Sequence, residues 1–100
     1  INMEVKFNEL AVREMNDAIA YYELQYSGLG AAFKVEIKKA VDRIIKYPKA
    51  WTIVDEDIRK YILHKYPYNV YYSLEKDRLY IIAIAHQHRK PNYWIDRFEE

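Results

Sequence analysis

One segment, LYIIAIA at residues 79–85, limits the fold of this chain more than any other stretch. Every side chain in it is apolar or aromatic, so a strand built from it is apolar on both faces. A strand of this kind is stable only where both faces are covered. The segment therefore predicts a central strand of a sheet, and the rest of the chain has to supply its neighbours.

The first half of the chain is predicted to form a strand and two helices. MEVKF, residues 3–7, alternates apolar and polar side chains as a short strand does, and Asn8 is a suitable N-cap for the helix that follows. SGLG at 27–30 ends the first helix, and Pro48 ends the second. The apolar stripe of the first helix, about 9–26, is Val12, Met15, Ile19, Tyr22 and Tyr26, and that of the second, about 31–47, is Phe33, Ile37, Ala40, Val41 and Ile44. The linker is so short that the helices must fold back on each other.

The second half is predicted to form three further strands, at residues 58–66, 68–74 and 79–85. Pro67 separates the first two strands, and EKDR at 75–78 forms the hairpin turn before the third. Connections this short predict an antiparallel meander, and Pro91 suits the first turn of a short closing helix. The predicted fold is α+β, in the order β-α-α-β-β-β with a short terminal helix. A helix hairpin packs on a small, mainly antiparallel sheet in one domain over residues 1–100.

The composition excludes several classes of function. The chain has no cysteine, so it can form neither a disulfide nor a thiolate metal site. Neither a membrane-spanning stretch nor a signal-like N-terminal segment is present, so we expect a cytoplasmic protein. The sequence contains no Gly-rich phosphate loop, and no carboxylate is spaced to bind a metal together with His64 and His86. We therefore expect neither a cofactor nor a metal, and we attach no meaning to Ile1 and Asn2, which precede the first methionine.

The charge is almost balanced overall but is unevenly distributed. Sixteen basic and fifteen acidic residues give a formal net charge of +1, which does not by itself indicate a nucleic-acid-binding protein. However, residues 58–74 and 80–94 contain basic side chains and no acidic ones. This distribution predicts a local basic surface on a nearly neutral protein.

The terminal segment AHQHRKPNYWIDR, residues 85–97, carries the groups that RNA cleavage without a metal requires. Such cleavage needs a base, an acid and cations around the phosphate. His86 and Tyr93 are candidates for the proton transfers, and Arg89 is a candidate for binding phosphate. Arg59 and Lys65 would share one face of the predicted strand 58–66, because they lie six residues apart. They would complete a site if that strand borders the terminal loop.

The same residues also have ordinary structural interpretations. His86 would close a strand by bonding to the backbone, and Trp94 would plug the terminal helix onto the sheet. Arg89 and Arg97 would pair with Asp96, Glu99 or Glu100 at the surface. Both sets of interpretations remain open at the level of sequence.

Three motifs resemble those of the RelE/ParE superfamily of bacterial toxins, the toxic halves of type II toxin–antitoxin, or plasmid stabilisation, modules. AIAYYELQYSGLGAAF resembles the family's helix–turn–helix, and IRKYILHKYPYNVYYSL resembles its strand pair. IIAIAHQHRKPNYWIDR resembles its terminal pattern, in which His86, Arg89, Pro91, Trp94 and Arg97 fill the spaced positions. The resemblance covers nearly the whole chain and implies the α+β fold described above.

The resemblance implies a growth inhibitor with one of three activities. ParE-like members poison DNA gyrase without evident chemistry of their own, and the spacing here is closer to theirs. RelE-like members are metal-independent endoribonucleases that cut mRNA in the ribosome, and in that case His86, Arg89 and Tyr93 would be catalytic. The third alternative is an inactive member that only binds its antitoxin. In either active case, Arg59, Lys65, Trp94 and Arg97 are the candidates for contact with phosphate or with the target.

The resemblance also implies a cognate antitoxin as partner. In the family, an extended or helical antitoxin tail lies in a groove of the toxin, here along the helix hairpin and the sheet edge. The candidate contacts are Tyr21, Tyr22, Tyr26 and Phe33, which would form an apolar strip that needs cover.

Overall fold

The computed structural model describes residues 3–99, with the side chains of residues 3–97. The elements follow the order β1 (Glu4–Phe7), α1 (Glu9–Gln25), α2 (Leu29–Lys46), β2 (Thr52–Asp55), β3 (Ile58–Ile62), β4 (Tyr68–Glu75), β5 (Arg78–His86) and a C-terminal 3-10 helix (Ile95–Glu99). Neither α-helix in the described part of the chain is long and apolar enough to cross a membrane.

Within residues 3–99 the strands form one mixed sheet in the order β1-β5-β4-β3-β2. β1 pairs with β5 in parallel, and the remaining pairs are antiparallel. This arrangement confirms the predicted α+β fold. It also confirms β5 as an interior strand, because β1 and β4 flank it and residues 79–85 are all buried. β2 was not predicted, because it is a short edge strand whose side chains are mostly exposed and show no apolar alternation.

The two helices pack on one face of the sheet and form the main core with it. Asn8 caps α1 as predicted, since its side-chain oxygen accepts a hydrogen bond from the backbone N–H of Leu10 (2.8 Å). Gly28 adopts a left-handed conformation (φ 92°) between the helices. Gly30 lets the helices approach closely, because a Cβ atom there would lie 2.6 Å from the backbone oxygen of Ile19. The buried residues of this core are Ala11, Ala18, Phe33, Ile37, Ala40, Ile44, Tyr61, Leu63, Val70, Tyr72, Leu79, Ile81 and Ile84.

The C-terminal segment, residues 87–99, packs on the opposite face of the sheet. Trp94 is 1% exposed and lies against Tyr71 of β4, with 4.9 Å between the ring centroids. β5 contains a bulge near this contact: Tyr71 pairs with Ala83 and Tyr72 with Ile81, so Ile82 is an extra residue on β5. Both Ile82 and Ala83 belong to the same cluster as Trp94. Ile58, Tyr80, Ile82, Ala83 and Trp94 are the buried members of this second cluster. Both faces of β5 are therefore covered, as its composition requires.

Several predicted boundaries were wrong in detail. β3 ends at Ile62 and not at residue 66, so Lys65 lies in the connection to β4. The closing helix is a 3-10 helix that begins at Ile95, and Pro91 lies in the turns before it. On α1 the predicted stripe was partly wrong, because Val12 is 37% exposed and Tyr26 is 75% exposed. Met15, Ile19 and Tyr22 pack against the main core as predicted, and the buried positions of α1 are Ala11 and Ala18.

Candidate functional site

β5 ends in an exposed, positively charged turn, residues 86–90, which we call the basic turn. His86 is half-buried, and His88, Arg89 and Lys90 are exposed. Nδ1 of His86 accepts a hydrogen bond from the backbone N–H of His88 (3.1 Å), and the two imidazole rings stack with centroids 5.2 Å apart. The backbone N–H of Arg89 donates to the carbonyl oxygen of His86 (3.0 Å). The turn is therefore internally bonded, and it presents its cationic side chains to solvent.

Tyr93 provides a platform for the basic turn. The guanidinium carbon of Arg89 lies 3.9 Å from the centroid of the Tyr93 ring, and that of Arg97 lies 5.0 Å from it. The hydroxyl of Tyr93 donates a hydrogen bond to Oε2 of Glu14 on α1 (2.5 Å). The sequence analysis correctly placed Arg89 and Tyr93 together, and the structure shows that Glu14 holds the tyrosine ring under the arginine.

At the edge of β5, the side chain of Glu14 makes a hydrogen bond that the backbone of a neighbouring strand would otherwise make. β1 pairs with β5 only as far as Phe7 and Ile81. Beyond that point, Oε1 of Glu14 accepts a hydrogen bond from the backbone N–H of Ile84 (3.0 Å), and Arg97 donates to the carbonyl oxygen of Ile82 (3.2 Å). Arg97 and Glu14 also form a two-pronged ion pair, with both N···O distances 2.9 Å. Two backbone groups of β5 beyond the end of β1 are therefore bonded by side chains.

The sequence analysis did not identify Glu14. It is one of several charged residues on a long helix, and its partners lie 70 to 83 positions further along the chain. Arg97 was expected to pair with Asp96, Glu99 or Glu100. Among the described residues the carboxylate partner of Arg97 is Glu14, because the C-terminal segment reaches α1. The side chain of Glu99 and the whole of Glu100 lie outside the described residues. No local spacing signals such a contact.

The surroundings change the acid–base properties of two of these side chains. Burial, followed by the hydrogen bond to Glu14, raises the pKa of Tyr93 well above its ordinary value. Burial alone would lower the pKa of Arg97, but Glu14 and Tyr93 oppose this effect and the pKa is raised overall. Tyr93 therefore stays protonated and Arg97 stays charged across the physiological range of pH.

A cavity of about 250 Å³ lies between α1 and the end of β5. His86 forms part of its wall and contacts Tyr68 edge-on, with 5.2 Å between the ring centroids. The residues that line it are Glu14, Asp17, Ala18, Tyr21, Tyr68, Ile84, His86 and Arg89. The cavity carries the carboxylates of Glu14 and Asp17 beside the guanidinium of Arg89.

Arg59 and Lys65 do not join the basic turn. β4 lies between β3 and β5, so the condition for a shared site is not met. Arg59 donates hydrogen bonds to the backbone oxygens of Trp51 (2.7 Å) and Lys49 (3.3 Å). Nζ of Lys65 lies 3.7 Å from Oε2 of Glu36 on α2. The structure thus brings together three of the five residues of the predicted patch. Of the other two, Arg59 bonds to the connection between α2 and β2, and Lys65 lies exposed beside α2.

Other predicted contact residues are also structural. Trp94 is buried in the cluster on the sheet, so its plugging role is the correct one and a surface contact in this conformation is excluded. Phe33 is fully buried and stacks on Tyr22, with 5.3 Å between ring centroids, so it belongs to the core and not to an exposed strip. Tyr21 and Tyr26 are exposed as the hypothesis requires. Among the described residues, no group of three or more His, Asp or Glu side chains is placed to hold a metal ion.

Solved structures of toxins from toxin–antitoxin systems share this backbone fold. The chromosomal ParDE system from P. aeruginosa matches with a TM-score of 0.62 and 11% identity, over 84% of this chain and 95% of the other. The intact E. coli RelBE toxin–antitoxin complex matches with a TM-score of 0.67 and 18% identity, over 88% and 100%. The isolated E. coli RelE toxin matches with a TM-score of 0.65 and 18% identity, over 98% of both chains. The fold is that of the RelE/ParE superfamily of toxins.

The family within this superfamily follows from the sequence. The family described as "ParE toxin of type II toxin-antitoxin system, parDE" matches residues 5–91, which is most of the chain. The chain therefore belongs to the ParE toxin family. No curated protein matches the chain significantly.

Proposed function

We propose that this ParE-family toxin inhibits growth by binding DNA gyrase in the cytoplasm without cleaving RNA, and that a cognate antitoxin neutralises it. One observation carries the choice between the two activities. Tyr93 and Arg97, the tyrosine and the arginine that follow the basic turn in the chain, are both bonded to Glu14. Membership of the ParE family supports the same choice.

An RNA-cleaving site would be poorly served by these side chains. An acid has to release its proton near neutral pH, but the raised pKa of Tyr93 opposes this release. A phosphate in the adjacent cavity would face the carboxylates of Glu14 and Asp17, and Arg59 and Lys65 do not line that cavity. Nδ1 of His86 is occupied by the backbone of the basic turn, so only Nε2 would remain for chemistry. These features favour a toxin that acts by binding.

One observation favours the alternative, a RelE-like endoribonuclease. His86 and Arg89 line the same cavity, and the exposed guanidinium of Arg89 lies on the ring of Tyr93. Histidine, arginine and tyrosine side by side at a strand end are the groups that such chemistry needs. This alternative requires that Tyr93 leaves Glu14 when substrate binds.

The exposed side of the helix hairpin supports an antitoxin partner. Leu24 of α1 is 86% exposed, and Tyr21 and Tyr26 lie near it in sequence and are also exposed. Large apolar side chains grouped in this way are typical of a surface that a partner covers. We propose that the antitoxin packs on Tyr21, Leu24 and Tyr26, and that the partly buried Tyr22 and the buried Phe33 support this surface from below.

The test is induction of the toxin in bacterial cells with and without its antitoxin, together with gyrase and translation assays on the purified protein. We expect stalled gyrase–DNA complexes, a DNA-damage response and filamentation, with full-length mRNA preserved. Rapid loss of mRNA on translating ribosomes would instead establish the nuclease. Normal growth with no effect in either assay would identify an inactive member that only binds the antitoxin.

A matched pair of histidine variants sharpens this test. We expect His86→Gln to lose less than about tenfold in toxicity, because gyrase binding needs no base and only the hydrogen bond that Nδ1 accepts within the basic turn is lost. His64→Gln, at an exposed histidine outside the cavity, should lose nothing. A nuclease that uses His86 as its base would lose about 100-fold or more of its activity in His86→Gln alone.

A further inference from the structure

Glu14, on α1, is bonded to Ile84 of β5 and to Tyr93 and Arg97 of the C-terminal segment. We infer that Glu14 is a positioning residue that sets the conformation in which the basic turn meets the toxin's target. This inference rests on the proposed function, since it assumes that the basic turn contacts gyrase. It assigns to α1 a role in target binding that the sequence of the helix does not reveal.

Both carboxylate oxygens of Glu14 are fully used. Oε1 accepts hydrogen bonds from the backbone N–H of Ile84 (3.0 Å) and from Arg97 (2.9 Å). Oε2 accepts from the hydroxyl of Tyr93 (2.5 Å) and from the second nitrogen of Arg97 (2.9 Å). The side chains of Glu14 and Arg97 are only 16% and 11% exposed, so solvent and salt screen this pair much less than a surface ion pair.

These bonds hold both ends of the basic turn. Ile84 lies two residues before His86, where the turn begins, and Tyr93 lies three residues after Lys90, where it ends. The ring of Tyr93, fixed through its hydroxyl, carries the guanidinium of Arg89 at 3.9 Å. Without the charge of Glu14, the Tyr93 ring keeps its packing against the second cluster but loses the charged partner that orients it under Arg89. Glu14 thus acts on the exposed cation through Tyr93, without itself contacting a target.

Asp17 provides a matched control on the same helix. It lies three positions further along α1, lines the same cavity and is exposed, but it makes none of the four bonds described above. Glu14→Gln and Asp17→Asn each remove one negative charge from the wall of the cavity and preserve side-chain size. Only the first removes the negative partner of Arg97 and the charged acceptor for Tyr93.

The experiment measures gyrase inhibition and antitoxin affinity for both variants of the full chain. We expect Glu14→Gln to weaken gyrase inhibition by about tenfold or more while antitoxin affinity changes by less than about threefold, and Asp17→Asn to change neither. Hydrogen exchange at the amide of Ile84 should speed up in Glu14→Gln alone.

A double-mutant cycle with Arg89→Ala separates positioning from general destabilisation. If Glu14 acts through Arg89, then Glu14→Gln should cause little further loss in a protein that already carries Arg89→Ala. Wild-type inhibition by Glu14→Gln, or losses that simply add in the double variant, would overturn the inference. An equal loss of antitoxin binding would overturn it too, because it would indicate a global effect.

Two further arms keep the outcomes distinguishable. If Glu14→Gln folds poorly, Tyr93→Phe keeps the ring and removes the hydroxyl that bonds to Glu14, and the same loss of inhibition is expected. If the wild-type toxin does not inhibit gyrase, the proposed function fails. The role of Glu14 is then decided by the growth inhibition that each variant causes and by exchange at Ile84, neither of which depends on the identity of the target.

Discussion

Replacing Trp94 by alanine tests whether the C-terminal segment is an integral part of the fold. The indole is 1% exposed, lies 4.9 Å from the Tyr71 ring and packs with Ile58, Tyr80 and Ile82 on the sheet. Removal of a buried tryptophan costs about 3–5 kcal/mol, through lost burial and the cavity left behind. Since a domain of this size unfolds with about 5–15 kcal/mol, the loss is a large fraction of the total.

Urea unfolding followed by far-ultraviolet circular dichroism measures this cost. We expect the midpoint to fall in a single transition, and the melting temperature to drop by about 12 °C or more. The control is Ile95→Ala in the adjacent position, where the side chain is 42% exposed and the expected cost is about 1 kcal/mol or less. A cost below about 1 kcal/mol for Trp94→Ala would refute the reasoning. It would mean that the segment unfolds separately from the sheet, and Trp94 would return as a candidate for target contact.

The remaining predictions concern the helix hairpin and the loss of folding stability at high pH. Gly30→Ala should destabilise the protein by about 1–3 kcal/mol in urea unfolding, because the added Cβ would lie 2.6 Å from the backbone oxygen of Ile19. Gly28→Ala should cost about 1–2 kcal/mol for a different reason, its φ of 92°, since nothing lies within 4 Å of that Cβ; equal and negligible costs would contradict both accounts. Burial raises the pKa of Tyr72 from 10.0 to about 12, so its contribution to stability is complete below pH 10 and is lost as the pH rises towards 12. Unfolding titrations should therefore show a loss of stability between pH 10 and pH 11, to which Tyr93 also contributes, and Tyr72→Phe should remove about 1 kcal/mol of it. An unchanged slope in that variant would exclude a contribution from Tyr72.

Local patterns were sufficient for most of the secondary structure. The N-cap at Asn8 and the buried positions Phe33 and Ile37 of α2 depend on neighbours within one or two helical turns, and the spacing of residues records such contacts directly. The stripe of α1 was harder to predict. Its buried face uses Ala11 and Ala18, and small side chains carry a weak hydrophobic signal compared with an exposed valine or tyrosine.

The candidate site was predictable only where it follows the chain. His86, Arg89 and Tyr93 lie within eight residues of one another, so the end of β5 was enough to bring them together. Arg59 was placed in the same patch because the strand order was unknown, and the structure instead bonds it to the backbone oxygens of Lys49 and Trp51. None of these local patterns identifies the target of the toxin.

The sequence by itself determined the interior position of β5, the helix hairpin and the presence of a basic turn after the last strand. These features follow from apolar periodicity and from turn residues, which act over a few positions of the chain. Only the tertiary structure decided that β1 stops at Phe7, that Glu14 and Arg97 take over the edge beyond it, and that Trp94 is covered. The physical reason is that an ion pair between residues 83 positions apart depends on where the C-terminal segment crosses the sheet, and no local spacing records that path.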